Sequence, residues 1–340
     1  MTSVQPNTSS KIMLKSKVCD VFERFVNSRI NSHNNYDYSI VSRTNEDLQR
    51  VGFIDNLDQF YSCSDSNLVV NQIAEDFNSI KEVSRHQIPK SHVSFSQHPV
   101  ANELFTISSK KDIHFINTAL NSHTNIETNY ENQKVTWIGN SFQFFAIDPE
   151  GNISITDAQE QKNISVNSLK SRVSLILSHP TEPLVVLAGN SMQIIDTRSH
   201  LVSYNIQLKA SITCMSWMPK NIFGAAAGFA DGSVELFSLG EALTLESQEF
   251  SKNPIKFIEF CPSRLGTAMI GVENDIEFAK LPVWGFGRLT KTVTHSGHIA
   301  KVREGHWSRK NELKVISCDC DRTLNLWKMP QGYLPALPSE

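Results

Sequence analysis

The 340 residues are 40% apolar, 20% charged and 9% aromatic, which is enough apolar content to bury a core and the wrong balance for a disordered chain. A formal charge of −3 excludes a uniformly basic nucleic-acid binder and a strongly acidic tail protein. No apolar run approaches the roughly 18 residues of a membrane span, and six cysteines in a chain of this length do not make a disulfide framework.

The N-terminal ten residues are polar, and Ile12, Met13 and Leu14 are too few for the apolar core of a secretory signal. The expected compartment is therefore the cytosol or nucleus. Val18, Val21, Phe22, Phe25, Val26 and Ile30 recur at three- and four-residue steps, so a short amphipathic helix is expected in an extension spanning 1–35. Beyond it helical periodicity gives way to short alternating runs. Residues 38–42, 50–54, 59–64 and 67–73 read as strands, with Asp65-Ser66 as a turn.

The chain then repeats itself. VSFSQHP at 93–99, VSLILSHP at 173–180, ITCMSWMP at 212–219 and IKFIEFCP at 255–262 are alternating strands closed by proline, which has no N–H to extend a ladder. KVTWI at 134–138 and IAKV at 299–302 fit the same slot more loosely. Starts at 93, 134, 172, 212, 255 and 299 give a period near 40 to 45, that of four-stranded propeller blades. Each start is followed by a strand of small residues, a polar turn and another strand, with Asn190-Ser191, Asp231-Gly232 and Asp321-Arg322 as turns. Small side chains suit a place where blades converge on an axis.

The last repeat contains Gly297-His298, Ser317, Asp321 and Leu326-Trp327-Lys328. On these residues the chain resembles the WD-repeat β-propeller family. The resemblance implies an all-β, seven-bladed WD-repeat propeller over 36–330, with a short N-terminal helical extension and a tail at 331–340. It also implies a buried hydrogen-bonded network of His298, Ser317, Asp321 and Trp327. Other repeats depart from the pattern: Ala227 and Phe237 stand at the serine and tryptophan positions of one, and the repeat at 253–281 has no clear turn aspartate. The final repeat ends at its third strand, 323–328, leaving an open edge. In this family an N-terminal strand fills that edge, and residues 38–42 are the candidate here.

No phosphate loop, His-Glu-x-x-His or Gly-x-Ser-x-Gly occurs, so neither catalytic residues nor a cofactor nor a metal site is expected. The bland reading of Cys318 and Cys320 is a pair of free thiols. His98 and His179 precede strand-ending prolines and are expected to be structural. Ile195-Asp196-Thr197-Arg198 resembles the W-D-x-R ending of WD-repeat substrate receptors of cullin–RING ubiquitin ligases, where the arginine helps dock the adaptor. Here Ile195 replaces the tryptophan, and a local Asp196–Arg198 ion pair is the simpler reading. Finally, 288–314 carries seven cationic and two acidic residues in a chain whose net charge is negative. Lys301, Arg303, Arg309 and Lys310 are thus expected to help form a docking face for an acidic protein partner, with phosphate backbone a weaker alternative. The function expected is a non-enzymatic scaffold or adaptor among other protein subunits of a complex, and the alternative is the ligase receptor.

Overall fold

The computed structural model describes residues 38–328, except 55–57, 75–78, 129–130, 132, 160–161, 167–172, 200, 220–223, 240–242, 265, 281–288 and 310–313. The segment at 18–30 and the tail at 331–340 lie outside the described residues. Seven antiparallel sheets of four strands each follow one another along the chain. The innermost strands, blades 1 to 7 in order, are Leu48–Ile54, Ser94–Gln97, Lys134–Trp137, Val173–Ser178, Ile212–Trp217, Ile255–Phe260 and Val302–Trp307. Among the described residues no helix is long and apolar enough to cross a membrane.

These inner strands begin on one rim of the ring, the near rim, and end on the other, the far rim. Blades 1, 4, 5, 6 and 7 carry a register shift at the start of the inner strand, at Leu48/Arg50, Val173/Leu175, Ile212/Cys214, Ile255/Phe257 and Val302/Glu304. Such a bulge leaves one residue out of the ladder and re-aims its side chain.

Burial is organised by seams. Seven apolar clusters form among the described residues, each joining two neighbouring blades. At the seam of blades 7 and 1, for example, Val51, Phe53 and Phe60 meet Ile316, Leu324 and Leu326. Each fully buried side chain of this size stabilises by roughly 1.5–3 kcal/mol. The small-residue strand Gly224–Phe229 is the second of blade 5 rather than its innermost, and a bulky residue of the next blade sits on it. Ala225, Ala226 and Ala227 are fully buried, and a Cβ on Gly228 would come within 2.5 Å of the Ile255 side chain of the next blade. At the turn, Gly232 has φ +85°, and a Cβ there would strike the Ser251 carbonyl at 2.1 Å, so Asp231-Gly232 is a turn only glycine can make.

The ring is closed by its first strand. Tyr38–Arg43 pairs antiparallel with Thr323–Lys328, from Tyr38 opposite Lys328 to Arg43 opposite Thr323, and completes the sheet of blade 7. Arg43 also holds both carboxylate oxygens of Asp321, at 3.0 and 3.1 Å. That exposed pair contributes little, while the ladder itself is what removes the open edge. Deleting residues 1–45 is expected to cost several kcal/mol of a marginal total and to lower the melting temperature by several degrees. A differential scanning calorimetry trace unchanged by the deletion would contradict this.

Candidate functional site

In blade 7, Ser317 and Asp319 are two apart on one strand and share a face. His298 reaches that face from the loop before the blade. Its Nδ1 lies 3.0 Å from Asp319 Oδ2 and its Nε2 lies 2.7 Å from Ser317 Oγ. With the ring proton on Nδ1, His298 donates to Asp319 and accepts from the Ser317 hydroxyl. The other carboxylate oxygen of Asp319 accepts from the backbone N–H groups of Asp321 and Thr323, at 2.9 and 3.0 Å. Burial alone would raise the Asp319 pKa, but the His298 hydrogen bond and the turn amides outweigh it and leave the carboxyl below its ordinary range.

This corrects the expected network in two places. Asp321 is not its acid: the strand ends at Asp319, Arg322 takes φ +63°, and the reversal carries the Asp321 side chain outward to Arg43, 45% exposed. Trp327, fully buried, contributes through ring contacts, with its centroid 3.3 Å from that of His295 and 5.9 Å from that of Phe278. His295 was not foreseen. A Cβ on Gly297 would lie 2.4 Å from His295 Nε2, so Gly297 is the residue that admits the ring, and burial pushes the His295 pKa well down. Ser317, His298 and Asp319 have the order of a nucleophile, a base and an orienting acid. All three are enclosed, at 2% exposure or less, so no substrate can reach them and they act as a clasp between the leading loop and the blade.

His98 and His179 are structural, as expected. His98 Nδ1 accepts from the amides of Val100 and Ala101, and its Nε2 lies 3.1 Å from the Ser141 carbonyl. His179 Nδ1 accepts in the same way from Thr181 and Glu182. Each ring meets a tryptophan edge-on, Trp137 and Trp217 respectively. Cys318 is buried in the blade 7–1 cluster, while Cys320 is exposed and accepts from Arg303 Nε at 3.2 Å.

The basic stretch is divided rather than gathered. Lys301, on the near rim, pairs with Glu273 at 3.2 Å. Arg303 donates to the Leu48 carbonyl and to Asp47, at 2.7 and 3.0 Å, across the seam to blade 1. Lys314 crosses the same seam to Asp58 at 2.9 Å. Arg309, beyond the far end of the strand that starts near Lys301, donates to the Pro99 carbonyl and to Asn102 of blade 2. Lys310 lies outside the described residues. Lys301 and Arg309 thus stand at opposite ends of a strand spanning roughly 17–20 Å and do not share one face.

On the channel wall an ionic chain joins blades 1, 7 and 6. Arg50 Nη1 donates to Glu304 Oε1 at 2.7 Å, and the Val51 amide donates to Glu304 Oε2 at 2.9 Å. His306 Nδ1 lies 3.3 Å from Glu259 Oε1, and its Nε2 lies 3.6 Å from Glu304 Oε1. Burial opposes both charges. Arg50 and His306 nevertheless hold Glu304 down to about 2, and the two carboxylates lift His306 to about 10.

The far rim carries exposed apolar side chains at blades 2 and 3: Val100, Leu120 and Phe142. Phe142 stacks on His98 at 5.4 Å. Beside it Leu104, Phe115, Trp137 and Phe142 line a pocket of about 240 Å³. On the same rim, at blade 4, Arg198 is 69% exposed and bonded to Asp196 through Nε and Nη2, at 3.1 and 2.8 Å.

No protein-family model and no curated protein sequence matches the chain. Among solved structures it is similar to the Cps50 (Swd1) β-propeller domain of Myceliophteria thermophila, at 12% identity and a TM-score of 0.70 over 87% of this chain and 99% of that one. The fold is that of a seven-bladed β-propeller.

Two measurements check the site. Asp319→Ala leaves a buried histidine and two turn amides without their acceptor, at roughly 1–3 kcal/mol, whereas Asp321→Ala removes only an exposed pair worth under about 1 kcal/mol. The urea midpoint is expected to fall clearly for the first and barely for the second. The wall chain gives a pH signature. His306, raised in the folded state, contributes fully below about pH 6.5, and that contribution is lost as pH rises through about 10. Glu304, lowered, contributes above about pH 4.5 and loses it as pH falls toward about 2. The stability difference between the wild type and His306→Gln is therefore expected to shrink from pH 6.5 to 10, read as paired melting temperatures. A difference constant over that range would contradict the assignment.

Proposed function

We propose that this propeller is a non-enzymatic scaffold or adaptor subunit that holds protein partners together in a multisubunit complex, in the cytosol or nucleus. The observation that carries the reading is the far rim of blades 2 and 3. Phe142, 42% exposed, walls a pocket with Leu104, Phe115 and Trp137, and Val100 and Leu120 stand 59% and 75% exposed on loops of the same rim. Aromatic and aliphatic side chains clustered at a concave spot and carried on loops of a rigid frame are the anatomy of a protein-binding hot spot. The enclosed Ser317–His298–Asp319 clasp supports the non-enzymatic part of the reading.

A second reading, substrate receptor of a cullin–RING ligase, is favoured by Arg198 alone. Asp196 fixes its guanidinium in one orientation on the same rim, where an adaptor could meet it. Affinity purification separates the two readings. Leu120→Asp combined with Phe142→Asp is expected to leave the melting temperature within about 2 °C, since both side chains are exposed, and to strip most co-purifying subunits. Full recovery of partners with the double variant would refute the scaffold surface. Loss of a cullin adaptor on Arg198→Ala, with the other partners retained, would establish the second reading.

A further inference from the structure

The inner strands surround a channel of about 880 Å³. Every blade contributes to its near end from the first three residues of its inner strand: Arg50, Ser94, Lys134, Ser174, Thr213, Lys256 and Arg303, all of which line it. Ser174, Thr213, Lys256 and Arg303 are the residues that the bulges leave out of the ladder. The bulges thus turn these positions from the blade seams toward the axis.

Four of the seven are cationic, and the one carboxylate at this level among the described lining residues, Glu304, is held by Arg50. Two of the cations are satisfied nearby, Arg303 by Asp47 and the Leu48 carbonyl and Arg50 in part by Glu304. Deeper in the channel His306 is matched by Glu259 and Glu304. Lys134 and Lys256 differ: among the described residues neither ammonium group has a hydrogen bond or an ion pair. Both are half-buried, on blades 3 and 6, which stand nearly opposite in a ring of seven. Lys134 carries two costs, desolvation and the like charge of Arg50, which depress its pKa. An ammonium so placed weakens the fold unless something negative meets it.

We propose that the near end of the channel is a binding site for a small, multiply charged oligophosphate, held between Lys134 and Lys256 with the half-exposed guanidinium of Arg50 beside them. The volume lies in the range of small-ligand sites, and the position inside the ring excludes a folded protein surface. Phosphate groups suit converging ammonium and guanidinium donors, because each brings two or more charges and several acceptor oxygens to one point. The serine and threonine of the ring add little: their hydroxyls already donate to the Val135, Ala188 and Gly228 carbonyls. Specificity would therefore rest on charge and spacing.

Isothermal titration of the full chain with inorganic tripolyphosphate tests the site. The wild type is expected to bind at 50 mM salt, with affinity falling about ten-fold by 300 mM as screening lengths shorten below about 10 Å. Lys134→Met combined with Lys256→Met is expected to weaken binding at least about ten-fold, which corresponds to about 1.4 kcal/mol. The same variant should keep or raise the ligand-free melting temperature, because it removes two uncompensated charges. Lys256→Met alone, which relieves no repulsion with Arg50, gives a second reading should the pair perturb folding, with a loss of about three-fold or more. Lys81→Met, exposed on the outer strand of blade 1, is the control and should bind as the wild type does. No heat from the wild type, binding by the double variant within two-fold of the wild type, or equal loss in Lys81→Met would overturn the proposal. So would capture of an acidic peptide without capture of tripolyphosphate.

Discussion

A ring of sheets has no free ends only if its last sheet is completed, and here one six-residue ladder does that. Tyr38–Arg43 lies beside Thr323–Lys328, so the two ends of the described chain are held in a single sheet nearly 290 residues apart in sequence. Each of the seven apolar clusters is shared between two blades. Among the described residues no blade therefore has a core of its own, and opening one seam exposes the faces of two blades at once. Stability in such an arrangement is a chain of nearest-neighbour terms that closure turns into a loop.

The seam that closes the loop is also bridged by ion pairs. Arg50 with Glu304, Arg303 with Asp47 and the Leu48 carbonyl, and Lys314 with Asp58 all join blade 7 to blade 1. Apolar contacts are non-directional and would tolerate a shifted docking of one blade on the next. Charge-assisted hydrogen bonds at about 2.7–3.0 Å tolerate much less. The density of cations between 288 and 314, so conspicuous in the sequence, is largely accounted for by this seam and by local pairs, with Lys301 on Glu273 and Lys291 on Glu277. The apolar rim at blades 2 and 3 lies on the other side of the ring from the blade 5–6 seam, and partners docking there would leave the channel mouth on the near rim open.

The blades were legible because four inner strands alternate up to a closing proline and the others keep the same period, and the starts at 134, 212 and 255 coincide with the strands themselves. The closing strand was legible from the unpaired edge it had to fill. The acid of the buried clasp was not: two aspartates stand two residues apart, and spacing alone does not say at which one the strand stops and the turn begins. Asp319 follows Ser317 by two residues, the period of a strand face, and that was the usable signal. The channel ring could not be read at all. Lys256 and Arg303 alternate with apolar neighbours as any seam residue does, and only the bulges turn them toward the axis.

Every seam of the ring depends on closure, and amide hydrogen exchange measures closure directly. If the ladder of Tyr38–Arg43 on Thr323–Lys328 completes the ring, the amides of both segments should exchange only with global unfolding, with protection close to that of the inner strand Ile255–Phe260. Exchange of residues 38–43 at the rate of an unstructured terminus, with Thr323–Lys328 deprotected alongside it, would show an open ring and contradict the account.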